Sequence, residues 1–302
     1  ITFKNPIGLA AGFDKNAELI QIIPEVGFGF IEVGSITAQP CAGNPKPRLW
    51  RLPESRSLVV YYGLKNEGAQ KIQEKIKKNM SKIPLGISIA KTNCAATVDT
   101  SEGIKDYVEG YQYFTDLGDY ITINISCPNS FGGQPFTDAQ KLEQLLQEIK
   151  KIKCAKPILV KLSPDLNFKE LDALLKVVQK YKISGVICSN LTKDRENENI
   201  KEKDISKVGG LSGKVVEQKA NEQISYIYKK TQGKLIIIGC GGIFSAQDAY
   251  EKIKCGATLL QLITGMIYEG PQVISEINQG LVKLLEKDGY TNISQARGIK
   301  VK

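Results

Sequence analysis

The sequence predicts an α/β fold of the (β/α)8 TIM-barrel type, in one domain over residues 1–302. Three observations predict it. Eight short apolar runs recur along the chain, segments of helical period separate them, and no early glycine-rich dinucleotide turn marks the competing open sheet. The runs are IGLAA (7–11), FGFIEVGS (28–35), LGISIA (85–90), YITINIS (120–126), PILVKLS (157–163), GVICSN (185–190), LIIIGC (235–240) and LLQLIT (259–264). Each is short, rich in β-branched residues and bounded by Gly, Pro or Ser, as in a strand buried on both faces. Helical stretches are expected at 66–80, 101–117, 138–151, 168–182, 214–231, 245–255 and 271–287. In the third of these, Leu142, Leu145, Leu146 and Ile149 share one stripe and Asp138 stands at the N-cap. Two insertions interrupt the alternation: the proline-rich residues 36–65 and the charged, then glycine-rich, residues 191–213. Both are expected to be lid or binding loops.

Composition narrows the chemistry. The chain has no histidine, which removes Ser-His and Cys-His nucleophile pairs and the usual metal sites. Its seven cysteines include no CxxC pair, so reduced thiols in a cytoplasm-like compartment are expected, with no disulfide framework and no metal site. The net charge is +9, but the lysines are scattered over presumed helix faces; a solvated surface accounts for them better than a nucleic-acid patch. No apolar run is long enough to cross a bilayer.

In a barrel the chemistry lies at the C-terminal strand ends. After the first strand, Ala10, Ala11 and Gly12 leave room for a flat ligand, and Lys15 follows where a helix start would disfavour a cation. The fourth strand alternates Ile121, Ile123 and Ile125 with Thr122, Asn124 and Ser126, so Asn124 faces the barrel interior; Cys127, Pro128 and Asn129 lie just beyond. Lys161 sits in the otherwise apolar fifth strand and needs an anionic or carbonyl partner, whether a ligand or a structural ion pair. Ser189 and Asn190 end the sixth strand. Gly239, Gly241 and Gly242 end the seventh ahead of a helix capped by Ser245, with Thr264 and Gly265 beside them at the eighth, where barrels commonly hold a phosphate. A phosphate pocket, two lysines, an asparagine cluster and a thiol base fit flavin mononucleotide (FMN).

The segments NPIGLAAGFDKN, GFGFIEVGSIT, GNPKPRLWRL, INISCPN, VKLSPDL, GGLSG and IGCGGI, in this order, resemble the dihydroorotate dehydrogenase family over essentially the whole chain. The first three resemble its membrane-associated, quinone-using class 2. The resemblance implies FMN, oxidation of (S)-dihydroorotate to orotate in pyrimidine biosynthesis, a quinone acceptor, and peripheral membrane contact through a segment ahead of Ile1. Carried over, Ala11, Gly12, Lys15, Ser35, Asn124, Lys161, Ser189, Gly213, Gly242 and Thr264 match flavin contacts, with Gly241 and Gly265 in the same glycine turns. Lys15, Asn124, Asn129 and Asn190 match substrate contacts, and Cys127 matches the catalytic base.

The sequence departs from the pattern at several of these places. Class 2 enzymes usually carry serine where Cys127 stands, cysteine being typical of the soluble class 1. Val60 replaces a substrate-binding asparagine, Leu64 a common phenylalanine, Ser88 a flavin-binding asparagine and Leu191 a hydroxyl residue. Two alternatives therefore stay open: a related FMN oxidoreductase acting on another dihydropyrimidine-like ring, and a flavin-binding paralogue without dihydroorotate turnover. RNA-directed reduction is disfavoured, since no aromatic-basic cluster is present.

Overall fold

Eight parallel strands close into a barrel in the computed structural model, which describes residues 1–301. Among the described residues eleven strands occur in chain order: β1 (Ile7–Leu9), β2 (Phe30–Ile36), β3 (Leu49–Leu52), β4 (Ser57–Val60), β5 (Leu85–Ile89), β6 (Tyr120–Asn124), β7 (Ile158–Lys161), β8 (Gly185–Cys188), β9 (Gly210–Gly213), β10 (Ile236–Cys240) and β11 (Leu259–Leu262). Around the barrel the order is β1-β11-β10-β8-β7-β6-β5-β2. All eight apolar runs of the sequence are barrel strands, each read slightly long at one or both ends, while β2 runs one residue further than expected, to Ile36.

Helices Ala69–Lys78, Thr100–Gln112, Ala139–Ile149, Phe168–Lys180, Glu217–Thr231, Ala246–Lys254 and Val273–Lys287 lie in the seven expected stretches. Their apolar stripes pack on the outer strand faces and form the main core. Asp138 caps its helix by accepting from the N–H groups of Gln140 and Lys141. Asn167 and Glu170 close a capping box on the next helix. Between β1 and β2 there is only the four-residue helix Ile23–Val26, so Lys15 stands in a turn and not at a helix start.

The barrel is closed below by Phe30, Tyr120, Leu159, Ile187 and Ile238. Just inside, the buried Glu32 carboxylate accepts from the Tyr120 hydroxyl at 3.0 Å, the Thr122 hydroxyl at 3.1 Å and the Gln261 amide at 3.1 Å. This polar layer serves Oε2 alone, and Oε1 is buried without a partner among the described residues. The layer also makes the floor solid, so a ligand can enter only from the strand C-termini.

The two insertions are more ordered than lid loops. β3 and β4 form an antiparallel hairpin, and β4 pairs antiparallel with β9 from the second insertion, Ser57 opposite Gly213. Leu52, Val59, Leu211 and Val215 form a small core of their own beneath this sheet. Leu49, Leu58, Val60 and Ser212 turn towards the mouth of the barrel and roof it. Among the described residues no helix is long and apolar enough to cross a membrane.

Candidate active site

Two adjoining cavities open at the C-terminal ends of the barrel strands. The larger, about 370 Å³, is lined by Ala11, Gly12, Lys15, Ser35, Asn124, Cys127, Asn129, Lys161, Asn190 and Thr264, under the roof of β3, β4 and β9. The smaller, about 80 Å³, is lined by Ala11, Lys161, Ser189, Asn190, Gly213, Gly241, Gly242, Thr264 and Gly265. Every residue matched above to a flavin, substrate or base position faces one or both of them, while Gly239 and Ser245 line neither.

The turn after β1 is built around Asp14. Its buried carboxylate accepts from the N–H groups of Glu18 and Leu19, both at 2.9 Å, while Gly12 N–H donates to the Gly34 carbonyl at 2.7 Å. That pinning aims Lys15 into the larger cavity, where its ammonium donates to the Gly12 carbonyl and lies 4.3 Å from the Tyr62 ring centroid. Burial, with Lys65 adding repulsion and Asp14 opposing it, brings the Lys15 pKa down to about 8. A carboxylate in the cavity would favour the charged form further.

Asn124 and Lys161 stand opposite each other in the β6–β7 register. The Asn124 amide donates to Ser35 Oγ at 2.7 Å, and Ser35 Oγ lies 2.7 Å from Ser88 Oγ. Asn190 donates to Asn124 Oδ1 at 3.2 Å and to Ser126 Oγ at 3.0 Å. This chain of amides and hydroxyls fixes which atoms face the cavity. Lys161 is only 5% exposed, and its ammonium has neither a carboxylate nor a hydrogen-bond partner among the described residues. The structural ion pair considered as an alternative from the sequence is therefore not formed.

The smaller cavity owes its shape to glycine. At Gly265 a Cβ would stand 2.0 Å from the Ile243 carbonyl oxygen, and at Gly242, where φ is +75°, 2.3 Å from Glu217 Cβ. The ends of β10 and β11 can thus approach closely enough to present backbone N–H groups. Ser245 caps the following helix, accepting from Asp248 N–H at 3.2 Å, and Lys214 pairs Glu217 and Asp248 at 2.7 Å each. The acidic groups beside the turn are thereby neutralised, and an anion meets N–H donors and a helix N-terminus. Ser189 Oγ is buried on the wall without a partner.

Cys127 follows β6 in a loop tied from several sides. Ser126 Oγ donates to the Lys161 carbonyl at 2.7 Å, Asn129 donates to the Val60 carbonyl at 2.7 Å, and Asn44 donates to the Asn129 carbonyl at 3.0 Å. The thiol is pushed up to about 11, chiefly by burial; the Asn129 N–H, Lys91 and Lys193 pull the other way. The fold brings Lys91, from the end of β5, and Lys193, from the second insertion, to the thiol.

The family model described as dihydroorotate dehydrogenase matches residues 1–285. The chain belongs to the dihydroorotate dehydrogenase family. It is 42% identical to the dihydroorotate dehydrogenase (quinone) of Crocosphaera subtropica, covering 99% of this chain and 81% of that one. The corresponding protein of Natronomonas pharaonis is 40% identical, covering 99% and 84%. Among solved structures, that of Eimeria tenella DHODH in complex with ferulenol superposes with a TM-score of 0.88 at 30% identity, covering 99% of this chain and 86% of that one.

Dihydroorotate dehydrogenases are in general flavin-dependent oxidoreductases acting on a CH–CH bond. The cavities fit such a group on three counts: the unpartnered Lys161 ammonium, the orphaned Ser189 hydroxyl and the glycine-walled recess at β10 and β11. Sequence reasoning missed the apolar roof from β3 and β4 and the buried Lys91. Neither carries a local signal, because both are made by contacts between distant segments.

Proposed function

We propose that this chain oxidises (S)-dihydroorotate to orotate with FMN, Cys127 acting as the general base and a quinone taking the electrons. The observation that carries the reading is that Cys127, Lys15, Asn129 and Asn190 line one cavity whose wall is the unpaired Lys161 and whose continuation is a glycine recess. The recess, Ser189 and Thr264 would hold the phosphate end of FMN; Lys161, Asn124 and Ser35 would hold its ring. FMN, when bound, supplies the acceptor for the hydride that leaves the substrate ring.

The chain's own residues do the rest. Dihydroorotate is a carboxylate with ring amides, and Lys15 offers charge to the first while Asn129 and Asn190 offer hydrogen-bonding groups to the second. Cys127 Sγ, as thiolate, takes the proton from the ring carbon adjacent to the one losing hydride. The ring thus loses one proton and one hydride and gains a carbon–carbon double bond. Asn124, locked by Ser35 and Asn190, keeps the ring facing the thiol. The roof excludes water from the transfer.

The larger cavity is apolar on its outer side, where Phe13, Leu49, Ile263 and Ile267 line it and Phe13 and Leu49 are exposed. That mouth suits an apolar acceptor drawn from a bilayer, and so supports both the quinone and peripheral membrane contact. Steady-state turnover with dihydroorotate, supplied separately with a soluble quinone, fumarate and NAD, is expected to proceed with the quinone. Turnover with fumarate or NAD and not with quinone would refute the acceptor assignment.

A further inference from the structure

We propose that Lys91 is a positioning residue for Cys127: its buried ammonium holds the catalytic loop and stabilises the thiolate, an inference that rests on Cys127 being the base. Lys91 lies two residues past the end of β5 and is 3% exposed. A lysine so buried needs a compensating partner. Among the described residues it forms no ion pair; its Nζ donates to the Phe131 carbonyl at 2.8 Å and to Thr97 Oγ1 at 3.3 Å. Phe131 belongs to the loop that carries Cys127, and its N–H donates to Asn93 Oδ1 at 2.6 Å. Lys91 and the nearby Asn93 therefore grip the loop through the two peptide groups that flank Phe131.

The same ammonium lines a narrow void of about 10 Å³ together with Cys127 and Tyr107. The arrangement makes sense as a fixed positive charge behind the thiol, leaving the larger cavity on its other side for substrate. The groups facing this region are few. Lys193 reaches the thiol from the second insertion and Cys41 from the first; Tyr107 and Asp106 come from the helix Thr100–Gln112, and Cys94 from the segment after Lys91. Asp106 is occupied by Thr92, accepting from its N–H and its hydroxyl at 2.6 Å each, and does not pair with Lys91. The Tyr107 hydroxyl is occupied by the Asn124 carbonyl at 2.7 Å. Lys91 is thus the buried cation of this shell, and a thiolate is the anion it lacks. No proton leaves Lys91 in this role; the ammonium stays charged while Cys127 cycles between thiolate and thiol.

The test is the pH dependence of iodoacetamide alkylation at Cys127, resolved by mass spectrometry from the other cysteines, in the purified full chain and in Lys91→Met, Lys91→Gln and Lys91→Arg. Removing the charge is expected to raise the Cys127 midpoint by about one pH unit or more in both neutral variants. Arginine is expected to keep it near the wild-type value. The glutamine variant can still donate to the Phe131 carbonyl, so it separates loss of charge from loss of the grip and stands in should the methionine variant not fold. The pH profile of flavin bleaching by dihydroorotate is expected to move by the same amount. An unmoved midpoint in the neutral variants, or an equal rise with arginine, overturns the proposal. A raised midpoint with an unmoved bleaching profile upholds the charge effect and refutes Cys127 as the base instead, so the two failures are distinct.

Discussion

Cys127→Ala is expected to bind FMN with wild-type affinity and to lose about 10²–10⁴-fold in the rate of flavin reduction, the usual size of general base catalysis. The residue lines the larger cavity and not the glycine recess, so flavin affinity has no reason to change. Its pH dependence follows from the environment of the thiol. Burial disfavours the thiolate and pushes the pKa up to about 11, while Lys91 and Lys193 offset part of that rise. The proposed base is the thiolate, and below that pKa each added pH unit raises its fraction roughly tenfold. Wild-type reduction is therefore expected to climb through the alkaline range and level off near the thiol's titration, whereas the alanine variant should lack this limb. Cys127→Ser should keep some activity with its profile moved to higher pH, because a hydroxyl is the weaker acid. Single-turnover bleaching in a stopped-flow instrument measures all three. Equal rates for Cys127→Ala and wild type would reduce the cysteine to a turn residue.

Lys161→Met is expected to weaken FMN binding roughly 10- to 150-fold, the equivalent of one hydrogen bond to a charged group, about 1.5–3 kcal/mol. Methionine keeps the length of the stem and removes the charge. The flavin-free protein should move in the opposite direction. In it Lys161 is a buried ammonium without a partner, so replacing it with an apolar side chain is expected to raise the apoprotein's Tm by a few degrees. Fluorescence titration of apoprotein with FMN and a thermal melt of the same sample give the two readings. Unchanged affinity would remove Lys161 from the flavin site, and a lowered Tm would mean that its charge supports the fold.

The parts of this molecule legible in its sequence are those that local physics decides. Strands buried on both faces read as apolar runs, so all eight barrel strands could be placed. Lys161 stood out because it breaks such a run, and Cys127 because an amide-flanked thiol follows one. The roof was not legible. β3, β4 and β9 are four residues each, Leu49 and Arg51 are exposed, and Ser57 finds its partner at Gly213, far along the chain. Lys91 was equally hidden, one among 41 lysines and arginines. Its burial comes from Phe131 and Thr97 closing over it, which no periodicity records. Glu32 is a third case: a carboxylate within a barrel strand, whose Oε2 meets Tyr120, Thr122 and Gln261 only once the barrel has closed.

The departures at Val60 and Leu64 bear on the ring that the larger cavity receives. Both residues line it, and Asn129 spends one of its two amide N–H donors on the Val60 carbonyl, which leaves its Oδ1 and a single N–H to meet a substrate. A wall with more apolar surface and fewer donors places more of the recognition on Lys15 and the substrate carboxylate. The most direct measurement is therefore anaerobic mixing of the flavin-loaded protein with dihydroorotate, followed at the flavin absorbance band, with the uncharged ring dihydrouracil as the parallel substrate. Prompt bleaching by dihydroorotate and little or none by dihydrouracil is the expected result; bleaching by dihydrouracil alone, or by neither, would contradict the assignment of this site to dihydroorotate.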